Sequence, residues 1–235
     1  MKARFTITAL VALLVFCAGY AALFIAPDEA TMHAIQRIFY FHVASWNAMF
    51  CAFFVAFYAS VAYLVTGKRK WDALGVSGVE VGIACCTIGL ITGPLWARPV
   101  WGIWWTWDLR LTSTLVLWLI YVSYLFLRRF SSSGETPLLA AALAILGALC
   151  VPFVYFSIWF FRTQHPQPVI GGGGSMDPRM LDTLLLNWLA FLCFAFLVCW
   201  SRFRLEKLQR EVNEAHAMRS LMDEPREPEG AHDDF

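Results

Sequence analysis

The stretch that decides the fold is VASWNAMFCAFFVAFYASVAYLV, residues 43–65, in which no side chain is charged. With a rise of about 1.5 Å per residue, a helix of this length crosses the roughly 30 Å hydrocarbon core of a bilayer. Such a segment must be helical, because the bilayer offers the backbone of a lone span no other hydrogen-bond partner. The stretch therefore predicts a transmembrane helix.

Five further apolar runs have a similar length and lie at residues 5–25, 73–91, 111–127, 138–161 and 180–200. Of the 235 residues, 59% are hydrophobic and 15% are charged, and a soluble chain of this size could not bury so much apolar surface in one core. We therefore predict an all-α, polytopic integral membrane protein with six transmembrane helices in residues 1–200. A charged tail, residues 201–235, begins as a helical extension and is expected to be cytoplasmic and partly disordered.

Basic residues set the expected orientation, since Lys and Arg accumulate on the cytoplasmic side of a membrane. They lie before the first run, between the second and third runs, between the fourth and fifth runs, and after the sixth. These residues are Lys2, Arg4, Lys68, Arg69, Lys70, Arg128, Arg129, Arg202, Arg204, Lys207 and Arg210. Both termini are therefore expected in the cytoplasm, and residues 26–42, 92–110 and 162–179 face outward. The net charge of +1 gives no sign of nucleic-acid binding.

The middle outward segment, residues 94–113, contains WARPVWGIWWTWDLRLTS at 96–113. Five tryptophans fall within twelve positions: Trp96, Trp101, Trp104, Trp105 and Trp107. Trp101, Trp104 and Trp105 are followed by Asp108 at helical spacing, which predicts a short amphipathic helix at the membrane surface. An aromatic belt at the bilayer interface explains one or two tryptophans per helix end. The segment is equally consistent with a docking surface for a flat aromatic ligand.

Two histidines are expected at the same outer boundary of the bilayer. His42 lies at the start of the second span and His165 follows the fifth. Neutral imidazoles bind metals, and two of them can provide both axial ligands of a haem iron. For each histidine alone, an interfacial side chain with a satisfied hydrogen bond is the simpler interpretation. His33 ranks lower, because on one continuous helix it would lie on the face opposite His42.

Other polar residues of the outward segments leave alternatives open. The outward arginines are Arg37, Arg98, Arg110, Arg162 and Arg179. They can pair with haem propionates, with lipid phosphates, or with Asp108, Asp177 or Asp182. The run GGGGS at 171–175 predicts a flexible loop, and Asp177 with Pro178 predicts the start of the sixth helix. Glu80, inside the third run, receives no role.

The run WGIWWTWD at 101–108, followed by RLTS at 110–113, closely resembles the tryptophan-rich WWD motif of the cytochrome c assembly family of haem-handling proteins. Six spans with this motif between the third and fourth resemble its CcmC branch, haem exporter protein C, over residues 35 to 200. The resemblance implies that His42 and His165 are axial ligands of a non-covalently bound haem b. It also implies a haem-binding surface, for which the candidates are Trp96, Arg98, Trp101, Trp104, Trp105, Trp107, Asp108 and Arg110.

The same resemblance implies a function in cytochrome c maturation. Haem would be bound at the periplasmic face of the bacterial inner membrane and delivered to the haem chaperone CcmE, with CcmD and the CcmAB transporter as companions. The chain has no nucleotide-binding loop of the G-x-x-x-x-G-K-[ST] type, which favours haem transfer over an enzymatic role. One alternative is a cytochrome b-like electron-transfer subunit, which places its haem-binding histidines inside the spans. Another is a solute transporter, which needs polar groups near the midplane, where the runs offer Asn187 and a few hydroxyls.

Overall fold

The computed structural model describes residues 2–131, 133–166 and 176–223. The helices are α1 (Lys2–Tyr20), α2 (Ile38–Thr66), α3 (Arg69–Trp101), α4 (Leu109–Phe130), α5 (Thr136–Phe160) and α6 (Pro178–Asp223). A π-helical turn, Ala21–Ile25, extends α1, and a 3-10 turn, Ala34–Arg37, precedes α2. Within the described ranges, six helices are long and apolar enough to cross a membrane, and no strand occurs. This confirms the predicted fold class. The glycine run at 171–175 and the acidic end of the tail, 224–235, lie outside the described residues.

The predicted amphipathic helix through Trp101, Trp104, Trp105 and Asp108 is wrong. Helix α3 continues ten residues beyond the predicted end of the third run and stops at Trp101. Gly102 then adopts the left-handed conformation, with φ +77°, and donates its N–H to the Arg98 carbonyl. Glycine ends helices in this way because it has no Cβ to clash. Residues 102–108 are therefore a non-helical segment between α3 and α4.

The centre of the bundle is built on close contact between α2 and α3. A Cβ added at Gly78 of α3 would lie 2.9 Å from the Ala52 carbonyl oxygen of α2, so only glycine allows this approach. Beside this contact, the rings of Phe53 and Tyr121 stack with centroids 3.7 Å apart. The Tyr121 hydroxyl donates to the Ala144 carbonyl at 3.2 Å. The core thus joins α2 and α3 to α4 and α5.

The peripheral helix α1 packs on α6 through a buried amide. The Asn187 side chain donates to the Ala18 carbonyl of α1 at 3.1 Å and to the Thr183 carbonyl of its own helix at 2.9 Å. A buried polar group in a membrane span needs such partners. Asn187 therefore has a structural contact that explains its presence in an apolar span.

We call one end of the bundle the arginine end, where the α2–α3 and α4–α5 turns and the α6 extension meet. There, Asp72 accepts two hydrogen bonds from Arg128 and one from Arg210, each at 2.8 Å. Glu80 accepts two from Arg202, at 2.6 and 2.8 Å. Glu80 is thus half of an ion pair between α3 and α6. The helix α6 runs on to Asp223, which confirms the predicted helical start of the tail.

Candidate functional site

A cleft with an empty volume of about 820 Å³, its open mouth included, lies at the opposite end, which we call the tryptophan end. The cleft lies among α2, α3, α4 and α5 and the segments 102–108 and 161–166. Seven of the residues predicted from the sequence line it: His42, Trp96, Trp101, Trp104, Trp105, Arg110 and His165.

The two histidines meet across this cleft although 123 positions separate them in the sequence. Their ring centroids are 6.4 Å apart and their planes are inclined by 31°. Two imidazoles that bind one metal ion from opposite sides, through bonds of about 2 Å, have centroids about 6 Å apart. The separation of His42 and His165 therefore suits a shared metal ion.

His42, in the second turn of α2, is held by a directional chain of hydrogen bonds. The Thr92 hydroxyl donates to the Ile88 carbonyl at 2.7 Å, so its oxygen is left to accept the His42 Nδ1–H at 2.8 Å. With its proton on Nδ1, His42 has a bare Nε2, and the Trp46 indole N–H donates to it at 3.0 Å. The imidazole is only 5% exposed. Its tautomer and orientation are both fixed by α2 and α3.

His165, in the segment after α5, also has Nε2 as its bare nitrogen. Its Nδ1–H donates to the Pro166 carbonyl at 2.8 Å. Burial in the cleft and the nearby positive charge of Arg110 lower the pKa of His165 to about 4. Because the imidazole is neutral at physiological pH, its lone pair is available to a metal ion.

Indole rings form the walls beside the histidines. The ring of Trp96 meets that of His42 edge-on, with centroids 5.9 Å apart, and lies 6.5 Å from the ring of Trp101. Among the residues that the structure describes, the Nε1–H groups of Trp96 and Trp105 are buried without a hydrogen-bond partner. Since buried polar groups are normally paired, these two donors can satisfy acceptors of a bound molecule.

Arg110 brings a positive charge to the cleft. Its Nη1 donates to the carbonyls of Val154 and Tyr155 on α5, at 3.1 and 3.3 Å. Within the described part of the chain, it is the one candidate arginine that lines the cleft. Arg98 instead donates to the Gly102 carbonyl and lies over the Trp104 ring, with its guanidinium carbon 6.0 Å from the ring centroid.

Asp108 lies beside the cleft and joins three segments. Its carboxylate caps α4 by accepting the Leu111 backbone N–H at 2.9 Å, and it also accepts the Thr106 hydroxyl at 3.0 Å. It further accepts the Gln164 backbone N–H at 3.0 Å, directly before His165. Asp108 therefore fixes the His165 segment to the start of α4. Trp107 lies outside the lining, 76% exposed, with its ring edge-on to Trp105.

The sequence interpretation missed Trp46 and Thr92. Trp46 follows His42 by four residues, so it shares a helix face with His42, and helical spacing could have identified it. Thr92 lies fifty positions from His42, and no local pattern connects the two. His33 would lie opposite His42 only on one continuous helix from 33 to 42, and no such helix is present. His33 actually precedes the 3-10 turn with a φ of +48° and is exposed.

Asp177 and Arg37 also have local partners at the tryptophan end. Asp177 accepts the Arg179 backbone N–H at 2.8 Å, directly before Pro178 begins α6. This confirms the predicted start of the sixth helix. Arg37 pairs with Asp28 at 3.0 Å. Arg179 also pairs with Asp177, one of the acidic partners named from the sequence, whereas Asp28 was not among them.

The chain is similar in sequence to characterised families. A family model described as "heme exporter protein C" matches residues 1–218. A protein of that name from Bradyrhizobium diazoefficiens is 34% identical over 83% of this chain and 76% of its own length. The Escherichia coli K12 protein of the same name is 30% identical over 76% of this chain and 73% of its own length. A mitochondrial protein of Arabidopsis thaliana, whose name describes it as ccmC-like and assigns it to cytochrome c biosynthesis, is 31% identical over 77% of this chain and 68% of its own length.

Proposed function

The chain belongs to the heme exporter protein C (CcmC) family, and from this premise we propose that it binds haem non-covalently at the tryptophan end and hands it on during cytochrome c biogenesis. One observation carries the proposal. Two imidazoles, each with Nδ1 as hydrogen-bond donor, stand 6.4 Å apart in an apolar, tryptophan-walled cleft. Bound haem supplies an iron that accepts two axial nitrogen ligands.

The residues present fit an iron porphyrin in three respects. The Nε2 atoms of His42 and His165 are the bare nitrogens that iron requires. The indole walls match the flat apolar face of a porphyrin, and the unpaired N–H groups of Trp96 and Trp105 can donate to its polar edge. Arg110 can pair with a propionate, because guanidinium and carboxylate bind each other through charge-assisted hydrogen bonds.

We assign the following roles within this proposal. His42 and His165 would hold the haem iron, and Trp96, Trp101, Trp104 and Trp105 would form the surface that receives the porphyrin. Asp108 positions His165 through the Gln164 backbone. Trp107 and Arg98 extend the surface at its exposed rim. With His42 and His165 both bound to it, the haem iron would offer little room for oxygen chemistry during transfer.

The proposal includes an orientation and partners. Lys68, Arg69, Lys70, Arg128, Arg129 and the basic residues of the α6 extension lie at the arginine end, and this excess over the five outward arginines supports placing that end and both termini in the cytoplasm of a bacterium. The tryptophan end would then face the periplasm across the inner membrane. The haem would pass to the chaperone CcmE, with CcmD and the CcmAB transporter as the other members of the assembly.

Absorption spectra test the ligand assignment. We expect the purified wild type to carry six-coordinate haem, and both His42→Ala and His165→Ala to lose haem or become five-coordinate. His33→Ala is the matched control, because this exposed histidine lies at the same end and outside the cleft lining. Unchanged haem content and spectrum in both ligand variants would refute the assignment. Co-expression with CcmE should transfer haem from the wild type and from His33→Ala.

One observation favours a second candidate, a cytochrome b-like electron-transfer subunit. His42 lies inside the helix α2 and is buried, as that function requires of a haem ligand. A redox titration with a quinone distinguishes the two. Electron exchange with quinone at the wild-type haem supports electron transfer, whereas haem transfer to CcmE without such exchange supports haem handling.

A further inference from the structure

The bare nitrogen of His42 is already occupied in this structure. The Trp46 indole N–H donates to Nε2 at 3.0 Å, and Nδ1–H is used by Thr92 at 2.8 Å. A ring nitrogen has a single lone pair, so Nε2 cannot accept the Trp46 hydrogen bond and bind iron at the same time. A haem iron that binds to His42 Nε2 must therefore displace the hydrogen bond from the Trp46 indole N–H.

We propose that Trp46 controls the availability of His42, holding Nε2 when the cleft is empty of haem and recovering it as haem leaves. This inference rests on the proposed function and deepens it. The competing hydrogen bond weakens haem binding by the free energy of that bond, and it offers His42 a partner during release. A protein that passes its ligand on benefits from such reversible binding.

The local packing makes Trp46 suitable for this role. Trp46 lies one helical turn beyond His42, with the two rings edge-on at 5.8 Å. Its indole lies over Gly89 of α3, where an added Cβ would approach the ring to 2.6 Å. The glycine therefore provides the space that brings the indole N–H to the His42 nitrogen. Trp46 itself lines the cleft, so bound haem can contact it directly.

Thr92 has the opposite effect. It accepts the Nδ1–H of His42 and so keeps the lone pair on Nε2, the nitrogen that faces Trp46. Histidines that bind metals usually donate their other N–H to such a partner, and losing it weakens binding by about 10-fold. Trp46 and Thr92 thus act on the two ring nitrogens with opposite consequences for iron.

The decisive experiment measures haem binding by Trp46→Phe in the full-length protein. Phenylalanine keeps an aromatic ring over Gly89 and removes the N–H. We expect binding of added haemin to become about 5-fold tighter, the ratio that corresponds to one average neutral hydrogen bond. Haem loss to an excess of apomyoglobin should slow, with the six-coordinate spectrum retained. Thr92→Val should weaken binding by about 10-fold.

Trp118→Phe is the matched control. Its indole N–H donates to a threonine hydroxyl of α3, Thr87, at 2.9 Å, and it lies outside the cleft lining. We expect wild-type haem binding from this variant. If Trp46 only supports the fold around His42, Trp46→Phe will bind haem more weakly than the control. That result, or equal binding by the two variants, would overturn the proposal.

A measurement on the haem-free protein separates this inference from the proposed function. In the ¹⁵N spectrum of the indole groups, the Trp46 resonance is the one that Trp46→Phe removes. We expect it to move upfield in His42→Ala, because the hydrogen bond is lost. An unchanged position would overturn the Trp46 proposal alone. A wild-type haem spectrum that is insensitive to His42→Ala would refute the ligand assignment, and the Trp46 proposal with it.

Discussion

The two ends of the bundle differ in whether their buried polar groups have hydrogen-bond or ion-pair partners. At the arginine end, the acidic side chains Asp72 and Glu80 are paired with arginines at 2.6–2.8 Å. At the tryptophan end, buried polar atoms remain without partners. Within the described residues, buried side-chain polar atoms without a hydrogen bond lie in that half, among them those of Trp96, Trp105, Thr112 and Trp188, and Trp96 and Trp105 line the cleft.

This difference distinguishes the arginine end, where the acidic groups are paired, from the end at which we propose that haem binds. Satisfied polar groups fix helices to one another, and a ligand can use such a group only by displacing its partner. Unsatisfied donors and acceptors cost free energy unless something binds them. The contrast predicts that substitutions at the arginine end lower the stability of the protein without changing its haem affinity. Substitutions at the tryptophan end should change haem affinity more than stability.

The largest effect is expected from Asp72→Ala. This carboxylate is 6% exposed and compensates both Arg128 and Arg210. Its removal leaves the partly buried Arg128 without an acidic partner and Arg210 with Glu206 alone, which costs about 3 kcal/mol of unfolding free energy. Thermal unfolding in detergent measures the loss, and the haem spectrum of the folded fraction should match the wild type. A changed haem affinity in that fraction would contradict the separation of the two ends.

An intermediate effect is expected from Asp108→Ala. Loss of the α4 cap costs about 1 kcal/mol of stability. Loss of the bond to the Gln164 N–H also frees His165, so we expect about 10-fold weaker haem binding. Haemin titration measures the affinity. Asp177→Ala is the matched control, because Asp177 caps α6 at the same end and lies outside the cleft lining. Equal haem affinities in the two variants would show that Asp108 has no positioning role.

Most of the fold could be predicted from the sequence. The six spans follow from apolar runs such as 43–65, since charge-free segments of that length are incompatible with water. The failure at Trp101–Asp108 has a local cause. The tryptophan spacing favours a helix, but Gly102 ends α3, and Asp108 begins α4 as its cap. The positions of Gly102 and Asp108 were visible in the sequence and outweighed the periodicity.

The candidate site could be predicted only in part. His42 and His165 share a membrane level that the span boundaries define, so their proximity was a reasonable expectation. The contacts of Thr92 with His42 and of Gln164 with Asp108 depend on how helices approach in space. A single sequence does not encode these distances in any local pattern. The same holds for Glu80, whose partner Arg202 lies 122 positions away.

The smallest effect is expected from Glu80→Gln. Glutamine keeps an oxygen that can accept a hydrogen bond from Arg202, and the two side chains are 30% and 34% exposed, so the substitution should cost less than about 1 kcal/mol. A double-mutant cycle with Arg202→Gln isolates the coupling between the two side chains, and unfolding in nanodiscs measures it. Haem affinity should stay at the wild-type value in all three variants. An intramembrane carboxylate is often functional. A several-fold change in haem affinity would show that Glu80 is energetically coupled to haem binding in the cleft. Glu80 approaches the bundle centre more closely than Asp72 does, so its variant tests how far the purely structural region extends toward the cleft.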